Sequence, residues 1–404
     1  MGATTDHALG RNLRFFSKKE TAVGGAYGET LQEALAGTDA AKVLTTSMEF
    51  TVARNPRMDA RTTRAVQERI TGKQEISWSC ESYLLPAGST TAPDIDPLIE
   101  AAMGGSFGGS TAKTYKLTNT NALPTCRIAR TANEVFREDL FGAWVEEMSI
   151  SASGGEEPKI SFSGGAMNYA LTGTGQADGA GSSTAALSVH SGEGVNFMVG
   201  SVIALNSAER TVKAKTGADA LTLSSNHSWS DDNAVTPSTY TETVSLHPPV
   251  NGIGGSLSLG GTSVPITGIE FTMTNGIKPF SDQALTKGTE DFVAGYRTCT
   301  GTVTIRARKD LIRRFAQRYV QLTATADPTF TADLPSAGGS DFEIVATFGT
   351  TSGYTVVLTI LNAELDFGAI DVPEAEEAIL NIPFTALAES ASGTDDEFTL
   401  AWNQ

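Results

Sequence analysis

The sequence predicts an all-β protein: two tandem β-sandwich or roll domains, each with a short flanking α-helix, plus a small inserted β-barrel. Three observations carry this expectation. Glycine contributes 41 of 404 residues; Ser and Thr are abundant while long helical patterns are scarce; and one order of features occurs twice. Glycine supplies the positive-φ positions that tight turns demand, and short alternating segments between turn residues are how half-buried strands read. An apolar fraction of 40% supplies core for more than one domain.

The repeated order begins with a hairpin. Met48-Glu49-Phe50-Thr51-Val52 alternates as a strand, enters a polar loop through Arg54, Pro56, Arg57, Asp59, Arg61 and Arg64, and returns at Thr71-Gly72. Ile269-Glu270-Phe271-Thr272-Met273 does the same, with a loop through Asn275, Lys278, Pro279, Asp282, Lys287 and Asp291 and a return at Thr300-Gly301. A short helix follows each hairpin. In the first, Asp96 is read as the cap, Pro97 as the first helical residue and Gly104 as the stop. In the second, Asp310 caps a helix that places Leu311, Ile312, Phe315, Ala316 and Tyr319 on one face. Each copy then closes with strands, at 144–151 and 159–163 and again at 354–367 and 379–386, joined by acidic turns at 155–157 and 373–377. Recurrence of this many features in one order marks a duplication.

These features divide the chain into an N-terminal arm (1–45), a first domain (46–172), an inserted barrel with linkers (173–249) and a second domain (250–404). Within the insert, the Gly/Ser-rich stretch 174–183 and His247-Pro248-Pro249 read as linkers, and 195–205, 210–215 and 220–223 read as short strands. The arm carries basic residues from Arg11 to Lys19 and a short helix at 30–36.

Little in the sequence supports chemistry. A net charge of −17 opposes nucleic-acid binding by the molecule as a whole. Cys80, Cys126 and Cys299 form an odd set without CxxC spacing and read as packed, reduced thiols. His7, His190, His227 and His247 are scattered, with no partner at i+3 or i+4, so no metal site is expected. Residues 104–108 match GxSxG formally, but they follow a helix where a nucleophile elbow joins strand to helix, and they read as a flexible loop. No phosphate loop or dinucleotide fingerprint follows a strand, so no cofactor is expected. Alternation sends at least one of Glu146 and Glu147 to water, which leaves no supported carboxylate pair. The expectation is a protein that is not an enzyme and has no catalytic residues. The N-terminus lacks the apolar core of a signal peptide and no window reaches 18 apolar residues, so no membrane insertion is expected.

Through Thr91-Ala92-Pro93-Asp94-Ile95-Asp96-Pro97-Leu98 ahead of the first helix, and 266–274 with the Thr300-Gly301 return, the chain resembles the tail tube (major tail) proteins of long-tailed phages with non-contractile tails. The resemblance covers both copies. It implies domains of the tail-tube type, rings stacked into the conduit for DNA ejection, and no enzymatic activity. A duplicated tube domain implies a homotrimeric ring with pseudo-six-fold symmetry. The implied partners are the chain itself, the tape-measure protein, and the tail terminator and tail-tip proteins, with genomic DNA as a non-specific passenger. The implied location is the virion, after assembly in the host cytoplasm.

Strand alternation makes Glu49, Glu75, Glu81, Glu147, Glu270, Glu364 and Asp366 candidates for the lumen lining, while Arg306 and Arg308 count against a purely acidic wall. The resemblance makes the hairpin loops candidates for contact with the next ring, through Arg54, Arg57, Asp59, Arg61 and Arg64 in one and Lys278, Asp282, Lys287 and Asp291 in the other. The insert is expected outside the tube. The competing class is a virion or extracellular β-sandwich binding module, which would not self-associate with ring symmetry.

Overall fold

A computed structural model describes residues 13–21, 34–56, 69–86, 92–105, 113–118, 122–132, 135–243, 249–250, 255–259, 262–264, 266–280, 289–307, 342–351, 354–366, 370–371, 378–388 and 397–402. Among these the chain is predominantly β, and every strand pairing is antiparallel.

One strand, Phe136–Ser153, organises the rest. Its first half pairs with Cys126–Ala132 on one edge and Asn168–Thr172 on the other. Its second half pairs with Lys159–Gly165 and with Ile266–Thr274. The strand changes neighbours at Gly142, whose φ of 63° is a left-handed value that costs glycine little and other residues much. Glu20 holds this point: its carboxylate accepts the Gly142 N–H at 3.0 and 3.1 Å and the Thr125 hydroxyl at 2.7 Å.

The second half of that strand lies inside a run of eight. In spatial order the strands are Thr45–Pro56, Arg69–Tyr83, Lys159–Gly165, Phe136–Ser153, Ile266–Thr274, Thr298–Arg306, Ile379–Ala386 and the end of Val356–Leu365. Alternation along each strand sends Trp78, Cys80, Phe162, Met148, Ile150, Phe271, Val303, Ile382 and Phe384 to one face, where they join a single large core. Two smaller groups of strands share that core. One orders Ala40–Ala41, Leu13–Lys19, Cys126–Ala132, the first half of Phe136–Ser153, and Asn168–Thr172. The other orders Thr262–Val264, Ser256–Leu259, Phe342–Phe348, the first half of Val356–Leu365, Thr399–Trp402 and Lys113–Lys116. The same pairing scheme thus occurs in both halves of the chain, with Lys113–Lys116 as an addition to the second.

Several elements depart from the sequence reading. Leu13–Lys19, within the stretch expected as an arm, is a strand of this chain's own sheet with Phe15 and Phe16 buried. The helix Asp96–Met103 has Ile95, not Asp96, at its N-cap, and the Asp96 carboxylate accepts the Tyr115 hydroxyl at 2.6 Å. Its end is as expected: Gly104 is left-handed at φ 73° and donates to the Glu100 carbonyl. The helix expected at 310–319 and the acidic turn at 373–377 lie outside the described residues, apart from the turn's flanks.

The inserted segment forms its own six-stranded sheet, ordered Gly175–Gln176, Ala234–Pro237, Val202–Leu205, Ala208–Lys215, Ala220–Trp229, Gly181–Ser188. The bridge between Ala177 and Val189 joins its first and last strands, and Phe197, Ile203, Leu205, Val212, Leu221 and Trp229 fill a separate core. Residues 174–183, expected as linker, supply part of two of these strands. The expected strand at 195–205 divides into a 3-10 turn, Glu193–Asn196, and the strand Val202–Leu205.

Replacing Gly142 with Ala would force a β-carbon into a left-handed position. The expected loss is about 1–2 kcal/mol of unfolding free energy, read by chemical denaturation.

Candidate functional site

The face of the eight-stranded run opposite the core is polar. Its chemistry is set by the two-residue period of each strand, which brings every second side chain to the same side. Ser47, Ser79, Ser163 and Glu147 stand opposite one another on four successive strands. Thr272, Thr300, Thr385 and Glu364 form the corresponding row in the second half. Adjacent rows are similar, with Thr45, Glu81, Ser161 and Ser149 in one, and Lys159, Ser151, Glu270 and Thr302 in another. Ser149 and Ser161 share a hydrogen bond of 2.7 Å across the strands. The surface is a field of hydroxyls with carboxylates spaced through it.

Six of the seven expected lining acids belong to this face. Glu49, Glu75, Glu147, Glu270 and Glu364 are exposed on it, and Glu81 is half-buried with Lys159 at 3.2 Å. Asp366 follows the last strand, exposed, its N–H donating to the Pro383 carbonyl. Arg306 is exposed at the end of Thr298–Arg306, while Arg308 lies outside the described residues. Thr45–Pro56 and residues 364–366 form the two ends of the run, and among the described residues each pairs with one neighbour only.

Of the loop residues, Arg54 is exposed near the end of Thr45–Pro56. Arg57, Asp59, Arg61, Arg64, Asp282 and Lys287 lie outside the described residues. Lys278 and Asp291 sit on a small hairpin, Lys278–Phe280 with Asp291–Val293. Its root is anchored to the first half of the chain. The Asn275 amide donates to the Ala102 and Val145 carbonyls at 2.9 and 3.0 Å, and Ile277 N–H donates to Glu146 Oε2 at 2.9 Å. Ile277 and Phe292 pack with Trp144, whereas Phe280 and Tyr296 project into solvent.

That anchoring separates the two adjacent glutamates. Glu147 faces the polar side, while Glu146 turns to the loop root, where burial raises its carboxyl above the usual range against the pull of the Ile277 N–H. They do not act as a pair. Ser106 of the GxSxG match lies outside the described residues. Burial raises the thiols of Cys80 and Cys299 to about 12, so both stay protonated at neutral pH. In the insert, ligand atoms of Asp178, His190 and Asp231 lie within 4.8 Å of one another, a grouping that histidine spacing did not reveal because it forms across three separate turns.

The charge cluster that sequence reasoning missed fixes the insert to the body. Asp139, fully buried, accepts from Arg137 at 2.7 and 2.8 Å and from Arg127 at 2.8 Å. Arg137 also donates to the Ser238 carbonyl at 3.0 Å and the Tyr240 hydroxyl at 3.1 Å, on the segment leaving the insert. Arg14 donates to the Tyr240 carbonyl and pairs with Glu242. Thr243 donates to the Gly37 carbonyl at 2.8 Å, and Phe16 packs edge-on against Tyr240. Burial opposes the charge on Asp139, yet the two guanidiniums outweigh it and hold the carboxyl below the ordinary aspartate range.

Asp139→Ala would strand two buried guanidiniums, with an expected loss of about 3–5 kcal/mol in chemical denaturation. Because the folded-state pKa is depressed, the contribution of Asp139 is complete above the unfolded aspartate value of about 3.9 and is lost as pH falls below it. The wild-type stability curve should therefore drop on the acid side, and Asp139→Ala should lack that portion of the drop.

No helix among the described residues is long and apolar enough to cross a membrane. Compared with family models and with curated proteins, the chain matches none.

Proposed function

We propose that this chain is the structural subunit of a phage tail tube, assembling by itself into stacked rings that conduct DNA and carrying out no catalysis. The observation that carries the reading is the eight-stranded run: apolar on one face, hydroxyl- and carboxylate-bearing on the other, with an edge at each end that is unpaired among the described residues. An open edge of this kind is a template for pairing with another chain. Because the two ends differ, copies joined end to end form a head-to-tail interface, which closes into a ring when the rotation permits.

Strand arithmetic gives the size of such a ring. Three copies supply about 24 strands; at roughly 4.8 Å spacing and about 40° tilt, the backbone diameter is about 48 Å. Side chains on the polar face reduce this to about 38 Å, which passes a DNA duplex about 20 Å wide. By the same estimate one copy leaves a bore of about 6 Å and two copies about 22 Å, which gives a duplex almost no clearance. The repeated pairing scheme supports reading the two halves as tandem tube domains, so that a trimer has pseudo-six-fold symmetry. The carboxylates on the polar face suit a conduit, since they repel phosphates and let DNA slide. The six-stranded insert, with its own core, is assigned to the outside, where the Arg137 and Arg14 contacts hold it in one orientation. The tape-measure protein, the tail terminator and the tail-tip proteins remain the proposed partners, and the virion the proposed location.

Negative-stain electron microscopy of the concentrated chain tests this reading. Rings or tubes with three-fold or pseudo-six-fold symmetry and a bore of about 40 Å are expected. Monomers at every concentration, with tail-tip proteins present as well, would sink it.

A further inference from the structure

The two edges of the eight-stranded run, each unpaired among the described residues, carry a register, and the internal junction of the chain supplies its template. We propose that a second copy of this chain lays its Thr45–Pro56 strand against residues 364–366 with Glu49 directly opposite Glu364, and that this carboxylate pair makes self-association weak at low salt. The proposal rests on the ring reading above.

The register follows from the matching rows. Ser47, Ser79, Ser163 and Glu147 in the first half correspond to Thr272, Thr300, Thr385 and Glu364 in the second. Across the internal junction Glu147 faces Thr274, two residues beyond Thr272. Two residues beyond Ser47, the partner of Thr272 in this correspondence, is Glu49. A junction between copies built on the same geometry therefore sets Glu364 against Glu49. The edge is open at the right place. Phe342–Phe348 stops pairing with Val356–Leu365 at Ala363, as Cys126–Ala132 stops at Ala143 shortly before Ile266–Thr274 takes over at Glu147.

The two junctions differ in charge. Inside the chain, Glu147 meets a neutral threonine. Between copies, two carboxylates meet, with Asp366 two residues along one strand and Glu75 opposite Thr51 on the next. The cations described on this face are Arg54, opposite Thr71 near the end of the edge strand, Lys73, Lys159, which is engaged with Glu81, and Arg306. Like charges directly opposite on neighbouring strands are destabilising, and salt screens exposed pairs. On the core side of the same edges, Phe50 and Leu365 are half-buried apolar side chains that a second strand would cover. Apolar attraction and charge repulsion thus meet at one seam.

The test uses the full chain in sedimentation velocity at about 50 and 500 mM salt, a range over which the screening length falls severalfold. Glu49→Lys should associate at lower concentration than wild type at low salt, by up to about fivefold per seam, and the gap should narrow at high salt. Glu157→Lys, an exposed turn position off this face, should show no such gain. Register is read separately by oxidising Glu49→Cys/Glu364→Cys and Ala53→Cys/Glu364→Cys; the native thiols are buried and give little background. Cross-linked oligomers are expected from the first pair only. Cross-links from the second pair alone, or no gain with Glu49→Lys while rings still form, would overturn the seam and leave the ring reading standing. No association of any variant at either salt would remove both.

Discussion

A β-strand has two edges, and Phe136–Ser153 uses both along most of its length, which is the constraint on which the remaining architecture depends. Four other strands take their positions from it, two on each side of the bend at Gly142. The bend is stabilised from outside the strand by Glu20, a buried carboxylate that follows the first described strand and accepts the Gly142 N–H. The N-terminal segment is consequently part of the framework. The passage of one strand between two groups of neighbours lets the apolar side chains of all of them converge on one core, in the manner of sandwich corners where a strand switches sheets at a bend.

Much of this was legible from alternation and turn chemistry. The hairpins, the closing strands, the first helix and its glycine stop follow from local patterns, and so does the face to which Glu49, Glu75, Glu81, Glu147, Glu270 and Glu364 belong. Register was not legible, for a physical reason. The similar pentapeptides at 48–52 and 269–273 invite alignment of Glu49 with Glu270, yet the pairing rows match Ser47 with Thr272, a displacement of four residues. A shift by an even number keeps every side chain on its own face, so the hydrophobic pattern is blind to it. The interruption of pairing between Val52 and Arg54 shows where local irregularity enters.

The Arg127, Arg137 and Asp139 cluster was hidden for a different reason. Charges in a strand normally read as solvent-facing, and the groups that satisfy Arg137, at Ser238 and Tyr240, lie about a hundred residues away. Removing three charges from water is costly, so such a cluster is weak grounds for stability on its own. Its geometric effect is clearer. Together with Arg14, Thr243 and Phe16 it fixes the exit of the insert at several points on two strands of the body. The exit of the insert is thereby tied to the body, although glycine and serine at 174–183 suggested a tether. Those small residues serve the strands instead: at Gly181 an added β-carbon would lie 2.4 Å from the Trp229 ring.

The covalent joining of the two halves changes the order of the mass-action law. Ile266–Thr274 meets Phe136–Ser153 within one chain, so that contact is made on folding, at an effective concentration set by the chain and independent of how much protein is present. In a six-part circle of separate half-length chains, six chains would have to come together, and the population of closed circles would rise with the sixth power of monomer concentration. Joined in pairs, the same circle would need three chains, and its population would rise with the third power. In the proposed ring, a threshold of that lower order would begin at smaller excess and be less abrupt, so the joined chain would close at concentrations where half-length chains would stay apart.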